Sequence, residues 1–362
     1  MDGLQNARET INRVDREMAR LFTERMEAAK EVARYKRAHA LQITDAAREE
    51  EVIERNSALI EDETLRTYYV SFLRHNIELS KTLQHRMLDG MRVAYSGVEG
   101  AFANIAALRA FPDAIAVPYP DFRAAYEAVE NCECDCVILP IENSSNGDVG
   151  NVMDLAFFGS LHINGIYDVD VIQNLLALPG TRVEDIKEVI SHPQALGQCA
   201  DYIHKKGFLA TQVVNTAVAA KRVAESGRHD LAAIASEEAG EKYGLQKLES
   251  HINGSNVNTT RFAVFSRAAK TETENDNRFV MLFTVLNEAG SLGRAISIIG
   301  EHGFNLRALK SRPNKELAWS YYFYAEGEGN INTPEGQAML KELHGYCNSL
   351  RVIGSFEKEM SL

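Results

Sequence analysis

Four clusters of polar side chains stand where apolar segments end, and their types narrow the chemistry on offer. Thr259-Thr260-Arg261 sits at the mouth of a short apolar run, Phe262 to Phe265, that reads as a buried strand. Its hydroxyls and guanidinium can hold an anionic group; alternatively, the threonines merely favour a strand and Arg261 solvates its end. Val137 to Ile141 leads into Glu142-Asn143-Ser144-Ser145, a carboxylate, an amide and two hydroxyls. Val189-Ile190 leads into Ser191-His192-Pro193-Gln194, and Asn215-Thr216-Ala217 opens a further helix. Open α/β sheets bind ligands at such strand ends. Far upstream, Arg25 and Lys36 are eleven residues apart, about three helical turns, so they share a face and can converge on one anion. Asp45, Arg48 and Glu49 fall at i, i+3 and i+4, and Ser80 and Gln84 at i and i+4, each set facing one way.

These clusters belong to a chain of 362 residues, too long for one core. Apolar content of 45% with 25% charged residues is that of a globular protein. No apolar run reaches membrane-spanning length and the N-terminus lacks a signal-peptide pattern, so a cytoplasmic protein without a membrane partner is expected. A net charge of −12 argues against nucleic acid. Cys132, Cys134 and Cys136 lack the second pair or histidines of a zinc site and read as reduced structural thiols; no metal is expected.

Between Gly3 and Gly90 there is neither glycine nor proline, which predicts helices over Leu4–Ala38, Asp45–Glu61 and Thr64–Leu88, with Thr44 capping the second. Ile11, Val14, Met18 and Leu21 form an apolar seam whose continuation reaches Arg25 and Lys36. Buried charge is costly unless paired, so a polar pocket inside a helical bundle is the better account of these cations. Arg8 lies roughly 25 Å from Arg25 along one helix and can join that pocket only from another chain.

Arg8, Arg25, Lys36, Asp45, Arg48, Glu49, Ser80 and Gln84, in this order and spacing, resemble the all-helical chorismate mutase domain, an intertwined dimer, over residues 4–89. The resemblance implies rearrangement of chorismate to prephenate, a pericyclic step without nucleophile or proton transfer. It also implies that Arg25 and the partner subunit's Arg8 clamp carboxylates, with Arg48 in the pocket. Lys36 and Gln84 would address the ether oxygen, Asp45 and Glu49 the ring hydroxyl, and Ser80 would bind substrate.

After Gly90 short apolar runs alternate with helix-like stretches, among them Ala101–Phe111 and Pro193–Lys206, an α/β signature. Residues 91–266 resemble prephenate dehydratases through Pro140-Ile141-Glu142-Asn143-Ser144, Ser191-His192-Pro193-Gln194-Ala195-Leu196, Asn215-Thr216-Ala217 and Thr260-Arg261-Phe262. That family has a two-lobed, periplasmic-binding-protein-like fold and converts prephenate to phenylpyruvate, CO2 and water. Expelling hydroxide needs a proton donor, for which Thr260 and a protonated Glu142 are both candidates. Arg261 is a candidate carboxylate anchor, although strand alternation would turn it from Thr260's face. Asn143, Ser144, Gln194 and Thr216 would bind substrate. The turn Ser96-Gly97-Val98-Glu99-Gly100 departs from the family's Gly-Pro-x-Gly-Thr.

Ala268–Asn277 reads as a linker. Beyond it come strand (Phe279–Leu286), helix (Ser291–His302), strand (Leu306–Ser311), strand (Ala318–Tyr324), helix (Pro334–Tyr346) and strand (Arg351–Phe356), a ferredoxin-like order in which Trp319 packs a strand. Gly290-Ser291-Leu292 and Lys310-Ser311-Arg312-Pro313 resemble the phenylalanine-binding motifs of the ACT domain, with Lys310 replacing the family's Glu. The resemblance implies an effector site at Gly290, Ser291, Leu292, Ser311 and Arg312. A three-domain chain is therefore expected: an all-α mutase domain (1–90), a two-lobed α/β dehydratase domain (91–267) and an α+β ACT domain (277–358). It would be a homodimer or higher oligomer needing no cofactor and making phenylalanine's precursor from chorismate. Pairing with a dehydrogenase would require a Gly-x-Gly-x-x-Gly that is missing; a sensor without turnover would not need the eight mutase positions.

Overall fold

The computed structural model describes residues 3–39, 41–254, 258–314 and 320–362. Asn256, Val257, Ala318 and Trp319 lie outside the described residues. The chain divides into two compact units, residues 1–92 with 113–115 and 131–135, and the rest. Among the described residues no helix is long and apolar enough to cross a membrane.

The first unit holds α1 (Gly3–Ala38), α2 (Ala46–Ser57) and α3 (Glu63–Asp89). The α2 cap is Asp45, whose carboxylate accepts from the Arg48 amide at 3.1 Å, rather than Thr44. Helix α2 stops at Ser57, short of the expected Glu61, because Asp62 is taken up as the α3 cap. Ile53, Leu73 and Ile77 join α2 to α3. The seam on α1 behaves differently from the expected core. Ile11, Val14, Met18 and Leu21 are 39–57% exposed, so their own chain leaves them uncovered.

The second unit opens with β1 (Arg92–Ser96), α4 (Phe102–Ala110), β2 (Ile115–Tyr119), α5 (Phe122–Glu130), β3 (Cys136–Asn143), β4 (Gly147–Asp148), α6 (Gly150–Phe158) and β5 (His162–Asp170). There follow β6 (Asn174–Ala177), β7 (Glu188–Ser191), α7 (Pro193–Gln198), α8 (Ala200–Lys206), β8 (Leu209–Gln212), α9 (Thr216–Ser226), β9 (Leu231–Ala235), α10 (Glu237–Lys242) and β10 (Gln246–Glu249). The predicted helix over Pro193–Lys206 is thus broken at Cys199. β11 (Thr259–Ser266) returns to the first lobe, running antiparallel between β3 and β5. One lobe is ordered β5-β11-β3-β1-β2 and the other β10-β6-β9-β7-β8.

The chain ends with β12 (Arg278–Thr284), α11 (Ser291–Glu301), β13 (Asn305–Pro313), β14 (Tyr321–Glu328), α12 (Pro334–Tyr346), β15 (Ser349–Phe356) and β16 (Met360–Ser361). The antiparallel order β13-β14-β12-β15 is the ferredoxin-like arrangement. Alternation sends Phe279, Met281 and Phe283 toward α11 and α12, where Ala295, Ile298, Ile299, Met339 and Leu343 complete a core. This sheet joins the first lobe where Gly354 pairs with Ile163; a Cβ there would stand 2.5 Å from the Ile163 carbonyl. The stretch read as a linker is pinned, because buried Asp276 accepts from Lys270 (3.1 Å) and Ser355 (2.6 Å).

Candidate active sites

In the helical unit, α1, α2 and α3 enclose a cavity of about 280 Å³ lined by Arg25, Lys36, Asp45, Arg48, Glu49, Ser80 and Gln84. Seven of the eight expected positions meet there; Arg8, on the N-terminal half of α1, is not among the lining residues. Arg25 is half-buried and reaches the Asn76 Oδ1 at 3.1 Å and the Ser80 hydroxyl, while burial lowers its pKa. Lys36 Nζ donates to the Ile43 carbonyl at 2.6 Å. Arg48 pairs with Glu51 at 2.7 Å. The Gln84 Oε1 is buried without a partner, which leaves that amide oxygen uncommitted inside the chain. Lys81, overlooked in the sequence, binds Glu49 (3.1 Å) and Glu78 (2.6 Å) at the cavity wall. Its one-residue offset from Ser80 hid it from the i, i+4 pattern.

Between the two α/β lobes lies a cavity of about 480 Å³ whose lining includes Asn143, Gln194, Thr216 and Thr260. Thr260 is buried, and its Oγ1 accepts from the Asn143 Nδ2 at 2.9 Å. The Asn143 amide is oriented unambiguously, since its Oδ1 accepts the backbone amides of Ser145 and Asn146, each at 3.1 Å. The same Nδ2 donates to Asn258 Oδ1 at 2.9 Å. With its oxygen already accepting, the Thr260 hydroxyl keeps its proton for a group in the cavity. The N-terminal ends of α4, α7 and α9 border this space at Phe102, Gln194 and Thr216. Gln173 also lines it, with no motif in the sequence to mark it, and so does Asn215 of the Asn215-Thr216-Ala217 stretch, which caps α9. No lysine, arginine or carboxylate is among the described lining residues.

Glu142, Arg261 and Ser144 are not brought to this cavity. Thr260 pairs with Asn143 across the ladder and Arg261 with Glu142, so the second pair faces away from the first by strand alternation. Glu142 instead meets Lys310 (2.9 Å) and Arg261 (3.2 Å). Burial would raise its pKa, but these two cations outweigh burial and hold it below the ordinary carboxylate value. The expectation of a protonated acid is therefore corrected: Glu142 is a paired carboxylate. Arg261 is likewise no anchor in the cleft. Its guanidinium binds buried Glu326 through two bonds (2.6 and 3.1 Å) and Glu359 at 3.2 Å. Burial would lower its pKa, but Glu326 above all, with Glu142, raises it. Ser144 sits at the exposed β3 turn, accepting from the Thr259 amide at 3.0 Å.

In the ferredoxin-like segment, Gly290 takes a left-handed conformation (φ 89°) before α11, and Ser291 and Leu292 open that helix. Phe283 is in register with Phe323, and Phe323 with Ser311, so the loop after β12 and Ser311-Arg312 lie at one end of the sheet. Arg312 is occupied by Asp154 of α6 (2.8 and 3.1 Å).

Residues 7–85 match the family model for chorismate mutase type II and residues 93–270 that for prephenate dehydratase. A bifunctional chorismate mutase/prephenate dehydratase of Enterobacter agglomerans is 30% identical over 368 residues, covering 97% of this chain and 95% of its own. The chloroplastic arogenate dehydratase/prephenate dehydratase 2 of Arabidopsis thaliana is 35% identical over 284 residues, 75% of this chain and 74% of that protein. A solved prephenate dehydratase from Arthrobacter aurescens in complex with L-Phe is similar at a TM-score of 0.69 and 25% identity, over 74% of this chain and 90% of that one. With both models matched in order and a bifunctional relative aligned almost end to end, the chain belongs to the bifunctional chorismate mutase/prephenate dehydratase family.

Proposed function

We propose that the chain catalyses two consecutive reactions, chorismate to prephenate in the helical unit and prephenate to phenylpyruvate in the two-lobed cleft. In the first, Arg25 holds a carboxylate while Lys36 and Gln84 stabilise charge growing on the ether oxygen as its bond to carbon breaks. In the second, the bond to the ring carboxylate breaks to release CO2 and its electron pair completes the aromatic ring. The ring C–O bond breaks with it, and the leaving oxygen takes the Thr260 proton and departs as water, while the Thr260 oxygen recovers a proton from solvent, so that one proton is consumed per turnover. The observation that carries this reading is the Asn143–Thr260 hydrogen bond, which commits the threonine oxygen and frees its proton.

The neutral lining of the cleft fits prephenate, whose side chain ends in a keto acid. An amino-bearing counterpart, arogenate, would find no carboxylate among the described lining residues for its ammonium group. The uncovered seam of α1 is suited to a second copy of the chain, each large apolar side chain contributing about 1.5–3 kcal/mol on full burial, with Arg8 supplied across that contact. Phenylalanine is the proposed effector at Gly290, Ser291, Leu292 and Ser311, with Arg312 reaching it only when released from Asp154. Purified protein given prephenate and, separately, arogenate tests the assignment. Phenylpyruvate should form from prephenate, slow on addition of phenylalanine, and exceed turnover of arogenate. No turnover of prephenate would sink the dehydratase reading.

A further inference from the structure

β11 and β3 present two adjacent cross-strand pairs to opposite sides of the sheet. Thr260 and Asn143 face the cleft, while Arg261 and Glu142 face the ferredoxin-like sheet. The ladder is irregular at this point, with a register shift between Arg261 and Phe262. A bulge re-aims the side chains beside it and leaves the local backbone less determined by regular pairing. What surrounds the bulge is a dense set of charges. Arg261 reaches Glu326, Glu142 and Glu359, with Asp168 at 3.8 Å. Glu326 is 1% exposed and comes from β14; Lys310, from β13, closes the set on Glu142 at 2.9 Å. The face of β13 and β14 turned away from α11 and α12 thus grips the two residues that adjoin the catalytic hydroxyl and its amide partner.

We propose that Arg261 is a positioning residue for Thr260, held in place from the ferredoxin-like segment by Glu326 and by the Lys310–Glu142 pair. The fork of the guanidinium fixes the bulge, and the bulge fixes the direction of the Thr260 hydroxyl. Lys310 has a local role in this scheme: it neutralises the side of Glu142 that Arg261 does not reach. The proposal rests on the assignment of the cleft as the dehydratase site.

Steady-state kinetics on prephenate with the full-length chain test it. Arg261→Lys keeps the charge and loses the fork, and Glu326→Gln keeps the shape and loses the charge. Each should lower kcat about tenfold with KM within about twofold, because the reacting geometry is lost while the cleft still binds. The double variant should fall no further than the worse single one, since both act through one contact. A raised KM at unchanged kcat in Arg261→Lys would make Arg261 a substrate anchor and overturn the proposal, as would wild-type kcat in Glu326→Gln or multiplying losses in the double. Should Arg261→Lys fail to fold, Lys310→Met decides: a fall in kcat of about threefold at constant KM supports the proposal, and wild-type kinetics overturn it. If the unaltered chain turns over no prephenate, and Thr260→Val matches it, the underlying assignment has failed instead.

Discussion

The two candidate sites solve the binding of similar anions by opposite means. The helical cavity is lined by Arg25, Lys36, Arg48 and Lys81 against Asp45 and Glu49, whereas the described lining of the cleft offers amides, hydroxyls and helix ends. A pericyclic rearrangement has no proton or covalent step to catalyse, so fixed charges around the breaking ether bond are what the protein can supply. The second reaction expels a carboxylate as CO2. A guanidinium on that group would stabilise the reactant more than a transition state in which its charge is leaving, and so would slow the step. Turning Arg261 to the far side of the sheet keeps this cation out of the cleft while retaining its structural use.

The contrast can be broken most severely at Arg25. Arg25→Ala should lower mutase kcat/KM on the order of 10²–10³-fold, with prephenate turnover by the same protein unchanged; a parallel loss of both would show that the sites are not independent. Next in size, Asn143→Leu removes the donor that commits the Thr260 oxygen and leaves Asn258 Oδ1 without that bond. Unsatisfied buried groups cost about 1–3 kcal/mol each, and dehydratase kcat should fall roughly tenfold or more while mutase rates hold. A smaller effect should separate the sites by salt. Raising ionic strength screens exposed charge, so KM for chorismate should rise by about two- to threefold between 0.05 and 0.5 M salt, with KM for prephenate changing less.

The mildest prediction concerns acid. Burial would raise the pKa of both Glu142 and Glu359, but Lys310 and Arg261 hold Glu142, and a backbone amide with Arg307 and Arg261 holds Glu359, below the ordinary value of 4.5. A depressed folded-state pKa contributes stability above the unfolded value and loses it as pH falls through the folded one. Thermal unfolding of the second unit should therefore drop by a few degrees as pH falls below about 4.5. In Glu142→Gln this dependence should be shallower.

Much of this was open to reading in one dimension, and the failures have physical causes. The Gly- and Pro-free first ninety residues and the i, i+3, i+4 spacing of Asp45, Arg48 and Glu49 gave the helical cavity directly, because helix periodicity is local. Alternation along β11 already warned that Thr260 and Arg261 face apart. The same rule applied to β3 would have separated Glu142 from Asn143, but the strand was read as ending before them, and its boundary is not encoded by hydrophobicity once polar residues begin. Lys310 in the place of a family carboxylate was legible as a departure; its pairing with Glu142, 168 residues away, was not. Long-range partners such as Glu326 and Asn258 carry no local pattern at all. The exposed seam of α1 looked like core because periodicity reports an apolar face without saying which chain covers it.

We propose that one chain holds two separable active sites and that the Thr260 hydroxyl belongs to the second reaction alone. Chorismate supplied to Thr260→Val, with chorismate, prephenate and phenylpyruvate followed together, tests it most directly. Chorismate should disappear at the rate of the unaltered protein, prephenate should accumulate, and phenylpyruvate should form on the order of 10² times more slowly. Phenylpyruvate appearing at the unaltered rate, or chorismate consumption failing along with it, would contradict the account.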